Sequence, residues 1–396
     1  MVPELRAAFN AQFTPEKYTR LVQEVERRCG TSVSFRISET PCFFPTTLLQ
    51  QMERYGAELV SQIVDSDQYR RVSDAAIPPE FNVPQEAARP MFVQVDFGLV
   101  RNASGELEPK LVELQGFPSV YAFQSVMADA YREAYELPVH MSKFLGGIDE
   151  ARFAALMREC IVGQHDPAQV VLLEIDPFEQ KTLPDFLATK QMLGIEIVNI
   201  RDVVRQGRKL CYPKGGKLVP IRRIYNRAIA EELVRKNVEV PFDFRDEFDV
   251  EWAGHPNWYF RMSKFSIPYL KHECVPETHF LDELERLPQD RSEWLLKPLF
   301  SFAGAGILFE PSDVDIASIP AEKRHEYILQ RRMRFEPVIA TPHGMTQAEI
   351  RIMYLWPDGG TLTPVLALIR MGRGKMMGVD HNKNLEWVGA SAAFGA

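Results

Sequence analysis

Two sets of polar residues in this sequence stand where chemistry would need them. The first is Asp96, inside the apolar run MFVQVDF at 91–97, with Glu113 and Gln115, inside KLVELQ at 110–115. Both runs alternate like strands, and a turn at 102–105 separates them. Glu113 and Gln115 are two apart, so on a strand both point to one face. If the strands pair, Asp96 joins them. Two carboxylates and an amide oxygen on one face make a hard-cation site, suited to Mg²⁺ holding a nucleotide. A hairpin with a polar solvent face has the same pattern. The second set lies at 294–310, WLLKPLFSFAGAGILFE. Lys297 sits in one apolar run, and Gly304 and Gly306 sit in a small-residue turn before the next. Glycine lets backbone N–H groups approach phosphate oxygens, and the ammonium offsets their charge. The stretch is neither GxxxxGK[ST] nor GxGxxG, and an ordinary hairpin with an exposed lysine would read the same way. No nucleophile elbow, HExxH or zinc spacing occurs.

The elements that must position these residues follow in order. Residues 1–90 read as an N-terminal helical layer. Thr14 before Pro15 is a helix start, and Leu48, Leu49, Met52, Tyr55, Leu59, Val60 and Ile63 mark the apolar face of a helix opening after Pro45. Residues 91–165 hold the acidic strands and two helices, at 127–135 and 150–161. Residues 166–250 read as a small doubly wound α/β substrate domain. Strand 170–175, helix 182–193 and strand 196–200 make a β-α-β unit, which demands a parallel pair. Ligands sit beyond the carboxyl ends of such strands, so residues 176–179 form a candidate substrate loop. Arg222, Arg223 and Arg227 are either a structurally paired face or an anion site. Residues 251–396 carry a short helix at 281–287, the hairpin around Lys297, and strands at 327–332, 348–355 and 363–370. This is an antiparallel α+β region, so the class is α+β with an α/β part.

At 396 residues, 45% hydrophobic and 25% charged, the chain can bury a large core in two or three lobes. A formal net charge of −8 argues against nucleic acid or an anionic membrane as the main partner, but leaves room for a local anion pocket. Five scattered cysteines without a CxxC pair fit a reducing compartment with inert thiols. With no signal-peptide pattern and no apolar run of about 18 residues, a cytoplasmic protein is expected.

The Lys297-Pro298 strand with its small loop, the strand Tyr327-Ile328-Leu329-Gln330 and the acidic Glu113-Leu114-Gln115 together resemble the ATP-grasp superfamily. In that fold two α+β lobes hold ATP between them. The acidic set precedes the lysine strand here, an order similar to the glutathionylspermidine synthetase branch, which is circularly permuted relative to other ATP-grasp enzymes. The resemblance covers residues 90–396. The family's Asp, then Glu-x-Asn and a Thr-Pro turn, look like Asp96, then Glu113-Leu114-Gln115 and Phe117-Pro118-Ser119. Its Pro-Pro-Trp and Asn-Lys segments look like His255-Pro256-Asn257-Trp258 and Ser263-Lys264. Its C-terminal Arg and final Asn/Ser loop are similar to Arg370 or Arg373 and residues 382–391. Two positions depart: Gln94 stands for the family's Arg two residues before the Asp, and Gln115 for its Asn.

The resemblance implies a circularly permuted ATP-grasp fold, with residues 91–165 and 251–396 as its core and 166–250 as a pre-ATP-grasp-like substrate domain. It implies an ADP-forming carboxylate–amine ligase working through an acyl phosphate, with ATP and Mg²⁺ as cofactors. Its substrates would be a small-molecule or peptide carboxylate and an amine. Asp96, Glu113 and Gln115 would bind the metal, and Lys264 and Lys297 the α- and β-phosphates. Ser301, Gly304 and Gly306 would lie in a loop closing over the γ-phosphate. Gln330 would sit near the adenine, and Arg370 or Arg373 would stabilise the transferring phosphoryl group. Gln94 and Gln115 keep a second reading open, an ATP-binding regulatory or scaffold protein without turnover. A kinase-like phosphotransfer enzyme is a third.

Overall fold

Proline starts both opening helices, α1 (Pro3–Gln12) and α2 (Pro15–Cys29). A proline in the first turn sacrifices no helical hydrogen bond, and the Thr14 hydroxyl accepts from the Lys17 N–H at 3.3 Å. Strand β1 (Cys42–Phe44), α3 (Thr46–Val64) and α4 (Asp67–Val72) follow. The acidic strands are β2 (Phe92–Arg101) and β3 (Leu107–Gln115), succeeded by α5 (Tyr121–Tyr135) and α6 (Glu150–Ile161). The computed structural model describes residues 1–301, 304–377, 382 and 384–396.

The middle of the chain is the expected β-α-β unit, β4 (Val170–Glu174), α7 (Leu183–Leu193) and β5 (Glu196–Asn199). Next comes a small antiparallel sheet of β6 (Val204–Gln206), β7 (Lys209–Lys214) and β8 (Lys217–Pro220). Then come β9 (Arg223–Asn226), α8 (Ala230–Arg235), β10 (Glu251–Ala253) and α9 (Asn257–Arg261). Strands β10-β9-β4-β5 form a sheet in that order, every pair parallel.

The last third supplies β11 (Thr278–Phe280), β12 (Trp294–Pro298), β13 (Leu308–Phe309), α10 (Asp313–Ala317) and β14 (Tyr327–Arg331). These strands form an antiparallel sheet in the order β11-β14-β12-β13. It ends with β15 (Ile339–Thr341), β16 (Gly344–Leu355), β17 (Thr363–Gly372) and β18 (Gly389–Gly395). Segments 281–287 are turns and bends, not the expected helix. So short a segment forms no stable helix alone. Here the Leu281 N–H donates to Tyr327 O at 3.0 Å, and Leu281 packs with Trp294, Leu296 and Leu329.

The seven-stranded large sheet runs β1-β18-β17-β16-β2-β3, with β15 paired to the start of β16. Its pairs are antiparallel except β1 with β18. It therefore joins strands from the start, the first third and the end of the chain. The period of two separates its faces. Val93, Val95 and Phe97 of β2 and Ile350, Ile352 and Tyr354 of β16 share a core with Leu49, Met52 and Leu59 of α3. Each such buried side chain contributes about 1.5–3 kcal/mol. The residues that alternate with them, Gln94, Asp96, Glu349 and Arg351, point to the other face. Among the described helices, none is long and apolar enough to cross a membrane.

Candidate functional site

Strand register assembles the polar face. Asp96 lies opposite Glu113 on one side and Arg351 on the other, and Gln94 lies opposite Gln115. Glu349 lies opposite Arg370. The β2–β3 ladder slips between Asp96 and Phe97, so that Phe97 pairs with Leu111 and Val112 is the extra residue. This bulge lets Glu113 and Gln115 share the face of Asp96 while Leu111 stays in the core.

The centre of the cluster is a buried ion pair. Arg351 Nε and Nη2 donate to the two Asp96 carboxylate oxygens, each at 2.6 Å. Its Nη1 donates to Gln94 Oε1 at 2.8 Å and to Ser119 Oγ at 3.4 Å. Arg370 Nη1 adds a third donor to Asp96, at 3.1 Å from Oδ2, and also bonds Glu349. Gln94 Nε2 in turn donates to Phe117 O at 2.8 Å. Asp96 is 1% exposed. Burial opposes its charge, but Arg351 and Arg370 together hold its carboxyl below the ordinary carboxylate range. Burial raises Glu349, against the pull of Arg370. Arg370 stays above the ordinary guanidinium range, because Asp96 and Glu349 outweigh the burial that opposes its charge.

Two lysines arrive from outside this sheet. The Gly116 N–H donates to Met262 O at 2.9 Å, and a Cβ at Gly116 would stand 2.6 Å from Trp258 O. Only glycine permits that approach, which docks the segment 258–264 against the end of β3. Lys264 thereby comes within 3.8 Å of Glu113 Oε2. Its Nζ donates to Ser301 O at 2.9 Å and to Ser301 Oγ at 3.3 Å. Lys297 on β12 and Gln330 on β14 share one face of the antiparallel sheet, and Lys297 Nζ donates to Gln330 Oε1 at 2.5 Å. Gln330 Nε2 donates to Thr278 Oγ1 at 3.2 Å. Burial pulls the Lys297 ammonium down to about 8, with Glu113 and Glu349 opposing and Lys264 assisting.

Most of the residues picked out in the sequence therefore meet. Asp96, Glu113, Gln115, Lys264, Ser301 and Arg370 are linked by direct contacts, and Lys297 with Gln330 lies within range of the charges of Glu113 and Glu349. Arg373 does not join them. It donates to Thr346 Oγ1 at 3.1 Å and to Glu386 O at 2.6 Å. Gly304 (φ +76°) and Gly306 (φ +73°) hold left-handed backbone in the β12–β13 connection, where a side chain would be strained. Residues 302–303 of the small-residue loop and residue 383 of the final loop lie outside the described residues.

Glu349 and Arg351 were missed. Their signal was a Glu-x-Arg at every second position in a strand already recognised, the same signal that marked Glu113 and Gln115. The basic cluster is mostly structural. Arg223 pairs with Glu251 at 2.5 Å, and Arg227 with buried Asp185 at 2.6 Å. His255 Nε2 meets Pro84 O at 3.2 Å, a structural contact.

As placed, the acidic set does not present an open cation site. Both Asp96 oxygens accept guanidinium donors, and the Gln115 amide donates to Glu113. Among the described residues, no group of three or more His, Cys, Asp or Glu is arranged to hold a metal ion.

No family model and no curated protein matches the chain. Among solved structures, it is similar to a glutathione synthetase-like effector from Globodera pallida. That match has a TM-score of 0.60 and 11% identity, covering 98% of this chain and 99% of that one. The chain thus has the mixed α+β fold of a glutathione synthetase-like protein, and the likeness speaks to fold alone.

Proposed function

We propose that this chain is a nucleotide-binding protein of the circularly permuted ATP-grasp type, and that it acts as an ADP-forming carboxylate–amine ligase. The observation that carries the reading is Lys264, 3.8 Å from Glu113 Oε2, beside the Glu349–Arg370 pair, with Lys297 buried close enough for Glu113 and Glu349 to act on its charge. Among the described residues, Lys264 and Lys297 make their hydrogen bonds to neutral oxygens, those of Ser301 and of Gln330. A polyphosphate entering the cluster would exchange those contacts for charge-assisted ones. Gln330 and the β14 backbone would flank the base.

In the reaction, a substrate carboxylate oxygen attacks the γ-phosphorus of ATP, the bond to ADP breaks, and an acyl phosphate forms. An amine then attacks the acyl carbon, phosphate leaves, and an amide remains. Arg370 offsets charge on the transferring group, and the lysines hold the phosphates left behind. Burial of Asp96, Lys264 and Lys297 would limit the access of water, which would otherwise hydrolyse the acyl phosphate. Mg²⁺ is the usual partner of such a nucleotide, but Asp96, Glu113 and Gln115 do not fit it as placed, so no step is assigned to it.

The doubly bonded Asp96–Arg351 pair favours a second reading, nucleotide binding without turnover. Thermal denaturation with and without ATP, in wild type, Lys264→Ala and Glu113→Ala, tests the binding common to both. Ligand at a hundred times its dissociation constant should stabilise wild type by about 2.7 kcal/mol, and both variants should lose part of that gain. No shift in wild type at millimolar ATP refutes the nucleotide reading. ADP release across carboxylate and amine mixtures then separates ligase from binding protein, and ADP release with one acceptor and no amine marks phosphotransfer.

A further inference from the structure

The charges of the cluster are already balanced toward positive. Its carboxylates are Asp96, Glu113 and Glu349, and its cations are Arg351, Arg370, Lys264 and Lys297. Arg351 sits where a cation between Asp96 and Glu113 would sit. It chelates Asp96 with two parallel N–H···O bonds of 2.6 Å and lies 3.8 Å from Glu113 Oε1. Gln94 and Ser119 hold the third corner of the guanidinium, and the Arg351 side chain is 6% exposed. A planar fork fixed at three corners is pre-organised. A divalent ion would have to displace it from a buried carboxylate and leave it uncompensated.

We propose that Arg351 takes the place of a divalent cation in this site, so that the cluster binds its anion through guanidinium and ammonium groups alone. The inference concerns how the proposed nucleotide site is built, and one of its tests needs no nucleotide. In that test, Mn²⁺ is titrated into the full-length protein and free ion is followed by electron paramagnetic resonance. Wild type is expected to bind no stoichiometric Mn²⁺. Arg351→Gln, which removes two of the three guanidinium donors on Asp96, is expected to gain one Mn²⁺ that Arg351→Gln/Asp96→Asn lacks. A wild-type protein holding one Mn²⁺ that Asp96→Asn loses overturns the proposal.

The second test needs only wild type, so it stands even if Arg351→Gln fails to fold. ATP affinity is measured by calorimetry in EDTA and in millimolar Mg²⁺. Equal affinity is expected. A gain of about tenfold or more with Mg²⁺ overturns the proposal. If ATP binds under neither condition, the nucleotide reading falls, and the Mn²⁺ titration still decides the role of Arg351.

Discussion

Replacing Lys297 by methionine should make the free protein more stable. Lys297 is 4% exposed, and burial brings its ammonium down to about 8 from an ordinary 10.5. At about 1.36 kcal/mol per pH unit, keeping it charged at neutral pH costs the fold about 3 kcal/mol. Methionine has a similar length and no charge. It does strip a donor from the buried Gln330 oxygen, a loss of about 1 kcal/mol, so the net gain is about 2 kcal/mol. For 396 residues this is a rise of about 2–3 °C in melting temperature.

The pH dependence gives the sharper test. Below about 8 the lysine is charged in both folded and unfolded chains, and the whole penalty applies. Between about 8 and 10.5 the unfolded chain holds a proton that the folded one has released, so wild-type stability gains on the variant as pH rises. Urea unfolding of both proteins from neutral pH upward should show a gap that is widest at neutrality and closes through that interval. A variant less stable than wild type at neutral pH, or a gap constant across the range, refutes the reasoning. The same substitution should remove ATP binding, which would make Lys297 a residue kept for function at the expense of stability.

Other outcomes follow from the same cluster and its supports. Asp96→Asn should destabilise by about 3–5 kcal/mol in urea unfolding, because Arg351 loses the charge that compensates it. Its carboxyl is held below the ordinary range, so that deficit should be full at neutral pH and shrink as pH falls below about 4. Gly116→Ala should cost about 1–3 kcal/mol, since the new Cβ meets the Trp258 carbonyl, and ATP binding should weaken as Lys264 moves from Glu113; denaturation and calorimetry check the two effects. All five cysteines are buried. Burial pushes Cys29, Cys42, Cys160 and Cys274 up to about 12, so a thiol-reactive dye should label them only after unfolding.

Local chemistry made much of this protein legible. Alternation over 91–97, 110–115 and 348–355 specified strands and the faces of Asp96, Glu113 and Gln115. Thr14 and Pro15 specified a helix start. The β-α-β spacing specified a parallel pair, and the lysine hairpin paired as its residue types require. These readings succeed because side-chain period and backbone sterics act within a few residues.

What tertiary structure decided lies between residues far apart in the chain. No local pattern in Cys42, Phe43 and Phe44 announces a parallel partner at the other end of the chain, and Leu281 leaves its helical pattern to dock beside Tyr327. Beside Gln94 a guanidinium arrives across the sheet, from Arg351 on the neighbouring strand, bonded to the Gln94 amide oxygen. The types of Asp96, Glu113 and Gln115 are those of a cation site, but what a carboxylate can bind depends on which donors already face it. For Asp96 those donors are supplied by β16, paired with β2, and by β17, paired with β16, in a register that only the folded sheet sets.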